Sequence, residues 1–275
     1  LLDLPEPPEK TETLEGKEMD LEFTEVRFSY EEGREILKDV SMEFPAGSFT
    51  SIVGTSGCGK STAAAILMGR NQGYEGSVTI EGRELSGIRE DSLMEHITLV
   101  SHNSYLFKGT VEENLRMGKP DASEEEMEEA LRKVNLWGFL NAQQGLATPL
   151  AEKGGNLSGG QCQRLAIARA LLHDTPVYIF DEATSNIDAE SEEMIMDVIH
   201  TLAETKTVIL ISHRLANVVG SDRIYMMKDG RIAETGSHKK LMENNGEYAK
   251  LYHSQMELEQ YGKAEQEQYG KEAAV

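Results

Sequence analysis

Apolar and polar positions set one rhythm at the start of the chain and another later. Leu21, Phe23, Val26 and Phe28 predict an extended segment, and Ile36 to Phe44 predicts a second, with a turn at Glu32-Gly33 between them. Together they predict an antiparallel sheet near the N-terminus. Ser48 to Val53 is a short apolar run that passes directly into glycines and then into a helix starting near Lys60. Gly76 to Glu81 and Ile97 to Ser101 are further strand candidates. Residues 110–172 read mostly helical, and Glu124 to Val134 is amphipathic with an acidic outer face. Val177 to Phe180 and Val208 to Ser212 are short apolar strands, the second closing on a serine, and each precedes a polar cluster. Such strands alternating with helices predict an α/β fold with a parallel sheet covered on both faces.

The two ends differ from the middle. Residues 1–18 are rich in proline and acids, which predicts a linker. After Glu243 the chain is polar, acidic and rich in Gln and Tyr, which predicts a helix to about Glu259 and then a frayed tail. The first residue is Leu1 rather than Met, so the chain reads as a cut piece of something longer.

Charge narrows the choice of partner. With 27 basic and 48 acidic residues the net charge is -21, which repels nucleic acid and anionic lipid alike. Two cysteines, Cys58 and Cys162, are too few for a disulfide framework and suit a reduced cytosolic chain. No apolar run approaches the ~18–20 residues that span a bilayer. The start carries Asp3 and Glu6 and lacks the pattern of a signal peptide.

Gly54-Thr55-Ser56-Gly57-Cys58-Gly59-Lys60-Ser61 has the spacing of a phosphate-binding loop, with a strand before it and a helix after. Glycines let backbone N–H groups close around phosphate oxygens, and the helix N-terminus adds positive potential. Lys60 supplies a point charge to the β- and γ-phosphates of ATP, and Ser61 offers a hydroxyl to Mg²⁺. Four fixed positions at average usage predict ~0.01 chance matches in a chain of this length. Cys58 reads as a small filler; a thiol whose pKa the helix field lowered would instead be modifiable.

A second set of acids completes the candidate chemistry. Val177-Tyr178-Ile179-Phe180 ends in Asp181 and Glu182, at the strand edge where α/β proteins bind ligands. Asp181 is placed to hold Mg²⁺, directly or through water, and Glu182 to orient and polarise an attacking water. His213 follows another apolar strand and is placed to sense a γ-phosphate. Leu157-Ser158-Gly159-Gly160-Gln161 begins a helix, so Ser158 and the N–H groups of Gly159 and Gly160 form a second anion site. One loop already holds one nucleotide's phosphates. A second phosphate-binding terminus predicts two chains sharing two nucleotides.

Together these residues resemble the nucleotide-binding domain of ABC transporters, over about Met19 to Leu241. The resemblance implies a P-loop NTPase (RecA-like) core with an antiparallel β subdomain and an α-helical signature subdomain at about 103–165. The ATPase domain would run over 19–245, followed by a C-terminal helix and acidic tail over 246–275. It implies that Tyr30 stacks on adenine, that Gly54 to Ser61 with Thr62 is Walker A, and that Asp181 and Glu182 end Walker B. Ser158 to Gln161 belong to the signature, Ser185-Asn186-Ile187-Asp188 is the D-loop, and His213 is the switch histidine. Two such domains, identical or different, close head to tail, with ATP between Walker A of one and the signature of the other.

The exporter branch is implied by Glu152-Lys153-Gly154, similar to the segment that touches the membrane domain. Ile211 to Ala216 and Asp229 to Gly236 are also similar to exporters, and Leu1-Leu2-Asp3-Leu4-Pro5 resembles the linker after the last membrane helix. A free importer ATPase and a nucleic-acid clamp of the same family are the rival readings. A transmembrane domain is the implied partner, and the cytoplasmic face of the cell membrane the implied location. One position departs from the pattern. His102 stands where the family has a glutamine that bridges Mg²⁺ or the attacking water, and an imidazole accepts or ligates with a different reach.

Overall fold

The computed structural model describes residues 10–258. The predicted linker before residue 10 and the predicted tail from 259 onward lie outside the described residues.

In chain order the first elements are β1 (Leu21–Ser29), β2 (Glu35–Phe44), β3 (Phe49–Gly54), α1 (Lys60–Leu67), β4 (Glu75–Ile80), β5 (Arg83–Glu84) and α2 (Glu90–His96). Then come β6 (Ile97–Ser101), β7 (Gly109–Thr110), α3 (Val111–Arg116), α4 (Glu124–Lys133), α5 (Trp137–Asn141), β8 (Pro149–Leu150) and α6 (Gly159–His173). The last are β9 (Val177–Asp181), α7 (Ala189–Ala203), β10 (Thr207–Ile211), β11 (Arg223–Lys228), β12 (Arg231–Gly236) and α8 (His238–Glu243). A final helix covers residues 247–258.

The central sheet has six strands in the order β12-β11-β3-β10-β9-β6, parallel throughout except for the antiparallel β12. A second sheet, β2-β1-β4-β5, is antiparallel. The α/β class read from the pattern is the fold observed.

Alternation explains the layers. Val208, Leu210, Tyr178 and Phe180 face one core with the helices α3 to α7. Ile209, Ile211, Val177 and Ile179 face the other core, with α1 and the antiparallel sheet. Strands sandwiched in this way are apolar on both faces, so they read as unbroken apolar runs. Each such side chain, fully buried, contributes about 1.5–3 kcal/mol.

The helical region is interrupted by the β7–β8 pair, which joins Gly109 to Leu150 and Thr110 to Pro149. Thr110 and Ser123 start α3 and α4 with reciprocal capping boxes through Glu113 and Glu126. Residues 10–18, predicted as part of the linker over 1–18, instead lie on the body: Glu12 bridges Ile88, and Leu14 is buried with its N–H on Ser92 Oγ at 2.8 Å.

Register fixes where the chemistry collects. Asp181 pairs with Ile211 on one side and Ser101 on the other, and Ile211 pairs with Ile52. The carboxyl ends of β3, β6, β9 and β10 therefore finish side by side.

Candidate functional site

The loop after β3 turns on glycines that no other residue replaces cheaply. Gly54 has φ +148, and a Cβ there would lie 2.2 Å from the Met227 carbonyl oxygen. Gly59 caps α1 at φ +108, where a Cβ would lie 2.6 Å from Leu37. Lys60 is only 4% exposed. Its Nζ donates to the carbonyl oxygens of Gly54 at 3.0 Å and Thr55 at 3.1 Å, so the ammonium is held inside the loop. Cys58 is buried, and burial pushes its thiol up rather than down. A buried thiol favoured in its neutral form suits the filler reading.

Ser61 Oγ donates to Asp181 Oδ1 at 3.1 Å, which joins the first turn of α1 to the end of β9. Burial pushes the Asp181 carboxyl up; the Ser61 hydrogen bond opposes this, and the Glu182 charge adds to it. Glu182 has φ +54, a left-handed conformation costly for a residue with a Cβ. Its N–H donates to Ile211 O at 3.0 Å, and its carboxylate meets His213 Nε2. The kink turns the chain from β9 back toward β10, so acid and histidine touch across two strand ends.

Tyr30 presents a ring that is 62% exposed. That ring and Phe28 meet edge to face, with centroids 4.9 Å apart. Its hydroxyl lies 3.3 Å from Thr62 Oγ1 and accepts from Asn71 Nδ2 at 3.0 Å, which tethers the ring to the end of the loop. His102 reaches the site by its backbone, donating N–H to Asp181 O at 3.1 Å. Its ring is exposed and its Nε2 accepts from Asn103 Nδ2 at 2.7 Å. Among the described residues that ring makes no hydrogen bond to Ser61 or Asp181.

The signature residues form a separate surface. Ser158 caps α6: its Oγ accepts from Gln161 N at 3.2 Å, and Gln161 Oε1 accepts from Ser158 N at 2.9 Å. Ser158 and Gly159 are exposed, whereas Gly160 is buried. A Cβ on Gly160 would sit 2.1 Å from Ser191 Oγ, so this glycine lets α6 close on α7. Asp188 caps α7, accepting from Ser191 N at 2.8 Å, and these hydrogen bonds hold its carboxyl below the usual range. The signature therefore adjoins the segment Asn186 to Asp188.

Sequence reasoning missed three features. Tyr105, Phe107 and Met117 are large, exposed and apolar, and they line a groove with Val100 and Arg169. Glu152-Lys153-Gly154 adjoins that groove, since Lys153 N donates to Leu106 O at 3.1 Å. Glu192 is buried on α7 beneath Arg214 and Asn217. Gln255 touches the loop of His213. Three scattered apolar residues carry no periodic signal, and a single polar side chain from a distant helix carries none at all.

The comparisons with known proteins agree with this geometry. A family model described as ABC transporter matches residues 37–185. An uncharacterized ABC transporter ATP-binding protein of Haemophilus influenzae is 44% identical over 262 residues, 94% of this chain and 47% of that protein. An ATP-dependent lipid A-core flippase of Saccharophagus degradans is 38% identical over 251 residues, 91% of this chain and 43% of its own length. The solved structure of a bacterial Atm1-family ABC exporter with ATP bound superposes with a TM-score of 0.84 at 36% identity, covering 93% of this chain and 44% of that one. The chain thus spans about half the length, or less, of these relatives. On sequence, fold and loop geometry together, the chain belongs to the ABC transporter family and carries its ATP-binding, ATPase domain.

Proposed function

We propose that this chain is the ATP-hydrolysing motor of an exporter, working as a head-to-tail pair. The observation that carries the reading is the convergence of Lys60, the Ser61–Asp181 pair and the Glu182–His213 contact on adjoining strand ends. Phosphate groups would replace the two carbonyls now bonded to Lys60 Nζ. Tyr30 offers an exposed face for adenine, held at the right end of the loop by Thr62 and Asn71.

Two hard oxygens, Ser61 Oγ and Asp181 Oδ1, lie close enough to share a small cation, and this donor set suits Mg²⁺. Bound there, Mg²⁺ would neutralise charge on the β- and γ-phosphate oxygens. His102 is assigned to the same edge through its backbone bond to Asp181. Glu182 would orient and polarise the attacking water, and His213 would hold Glu182 and the γ-phosphate in line. Ser158, Gly159 and Gly160 with Gln161 would serve the nucleotide of the opposing copy, with Asp188 beside them at the interface. The γ-phosphate would then be contacted by both copies only in the closed pair, so its loss reopens them.

The groove of Tyr105, Phe107 and Met117, next to Glu152 and Lys153, is the proposed seat of the membrane domain. The charge of -21 on each copy argues for a monomer without nucleotide and against nucleic acid as partner. No helix among the described residues is long and apolar enough to cross a membrane. The cytoplasmic face of the membrane is the proposed location, with the bilayer-spanning part supplied by the membrane domain.

The test is Glu182→Gln. It should bind ATP, stop hydrolysing and accumulate as a dimer on size exclusion. Normal turnover in that variant overturns the role of Glu182.

A further inference from the structure

The loop that carries His213 is shaped by side chains. The last sheet hydrogen bond before it runs from Ser212 N to Ile52 O at 3.3 Å. Beyond that point Ser212 Oγ, on a buried residue, accepts from Arg214 N at 3.0 Å. Asn217 Nδ2 donates to the buried Glu192 at 2.8 Å, and Arg214 pairs with the same carboxylate. These contacts tie the far side of the loop to α7.

The near side is held from elsewhere. The helix over 247–258 is anchored at its start by Tyr248, which is fully buried and lies 2.8 Å from His238 Nδ1 through its hydroxyl. Two turns further on, the amide of Gln255 meets the loop backbone at two points. Its Nε2 donates to His213 O at 2.6 Å, and its Oε1 accepts from Leu215 N at 2.8 Å. Only this orientation of the amide works, because a carbonyl oxygen cannot donate to His213 O. A planar group satisfied at both ends fixes both backbone points relative to each other and to the helix. His213 lies at one of those points, and its ring faces Glu182.

We infer that Gln255 is a positioning residue for His213, through which the C-terminal helix sets the alignment of the histidine on Glu182. The inference rests on the ATPase reading above. Gln255 does not reach the reacting atoms; it acts through the backbone of residue 213. Any partner that draws this helix away from the body would slacken the histidine without touching the nucleotide.

Two variants of the 275-residue chain test this. Gln255→Leu removes both bonds at similar volume. Gln255→Glu keeps the acceptor for Leu215 N but sets a carboxylate oxygen against the His213 carbonyl. In both, kcat should fall about tenfold, with the KM for ATP within about twofold of the original. Amide hydrogen exchange at Leu215 should speed up in Q255L and stay slow in Q255E, which separates loss of the clamp from general loosening. Unchanged kcat in a folded Q255L with fast Leu215 exchange overturns the proposal. So does slow exchange in Q255L, or a rise in KM equal to the fall in kcat. Should Q255L fail to fold, Q255E decides alone: normal kcat with a protected Leu215 amide overturns the proposal. Absence of turnover in the unmutated chain sinks the ATPase reading and this inference with it. Turnover that is present but indifferent to residue 255 sinks this inference alone.

Discussion

The glycine loop with its paired acids and the turn at Ser158 are built to opposite plans. Around Lys60, Ser61 and Asp181 the polar groups are satisfied within the chain: Lys60 is buried against its own loop, and Ser61 is bonded across to the end of β9. A sheet backs them, and its register sets their spacing. At Ser158 and Gly159 the groups face outward, and their hydrogen bonds stay within one helical turn. The first region is finished by one chain. The second has a supporting wall, Gly160 against Ser191, but an open front. That contrast is what the proposed head-to-tail pair requires, and each region can be broken without the other.

The largest effect is expected at Lys60→Ala. Removing the loop's ammonium should cut turnover at least about a hundredfold and weaken ATP binding, read by phosphate release and nucleotide fluorescence. Gly159→Asp probes the open front. A Cβ there meets nothing nearer than 3.8 Å, so the melting temperature should hold. A carboxylate at an anion-binding terminus should still cut turnover about tenfold and abolish ATP-dependent dimers on size exclusion. ATP binding to the single copy should survive. Equal dimerisation in G159D would erase the contrast between the regions.

Gly160→Ala should instead cost stability. With Ser191 Oγ only 2.1 Å from the new Cβ, unfolding in urea should come about 1–3 kcal/mol earlier. Gly160→Ala combined with Ser191→Gly should recover much of that loss. The smallest effect on stability is at Asp181→Asn. Burial raises the Asp181 carboxyl, so the folded chain favours its protonated form. The charged acid therefore subtracts stability as pH rises through the folded value. At neutral pH, D181N should melt higher than the unmutated chain, while losing Mg²⁺-dependent turnover. Below the ordinary carboxylate range Asp181 is protonated in the folded and the unfolded chain alike, so the gap should close. A gap that widens in acid contradicts the burial argument.

Much of this was legible from local pattern. Val177 to Phe180 and Val208 to Ser212 read as buried strands because both faces of the sheet are covered. The glycine loop, the paired acids and the signature are short and fixed in spacing, so their chemistry survives without a fold. β11 and β12 gave no such signal. Arg223 to Lys228 carries a bulge between Met226 and Met227, and β12 alternates exposed and half-buried residues at the sheet's edge. The β7–β8 pair is two residues a side, too short to interrupt a helical reading. Gln255 lay hidden for a different reason. Its sequence context is a polar helix, and its partners are backbone atoms some forty positions away.

The left-handed backbone at Glu182 has a consequence for anyone engineering this chain. Glycine there would relax the dihedral and remove a carboxylate that opposes its neighbour Asp181. Selection for heat tolerance therefore pulls against chemistry at residues 181 and 182. A library sorted by survival at high temperature will enrich sturdy, silent proteins, and only a sort that also scores phosphate release will keep the working ones.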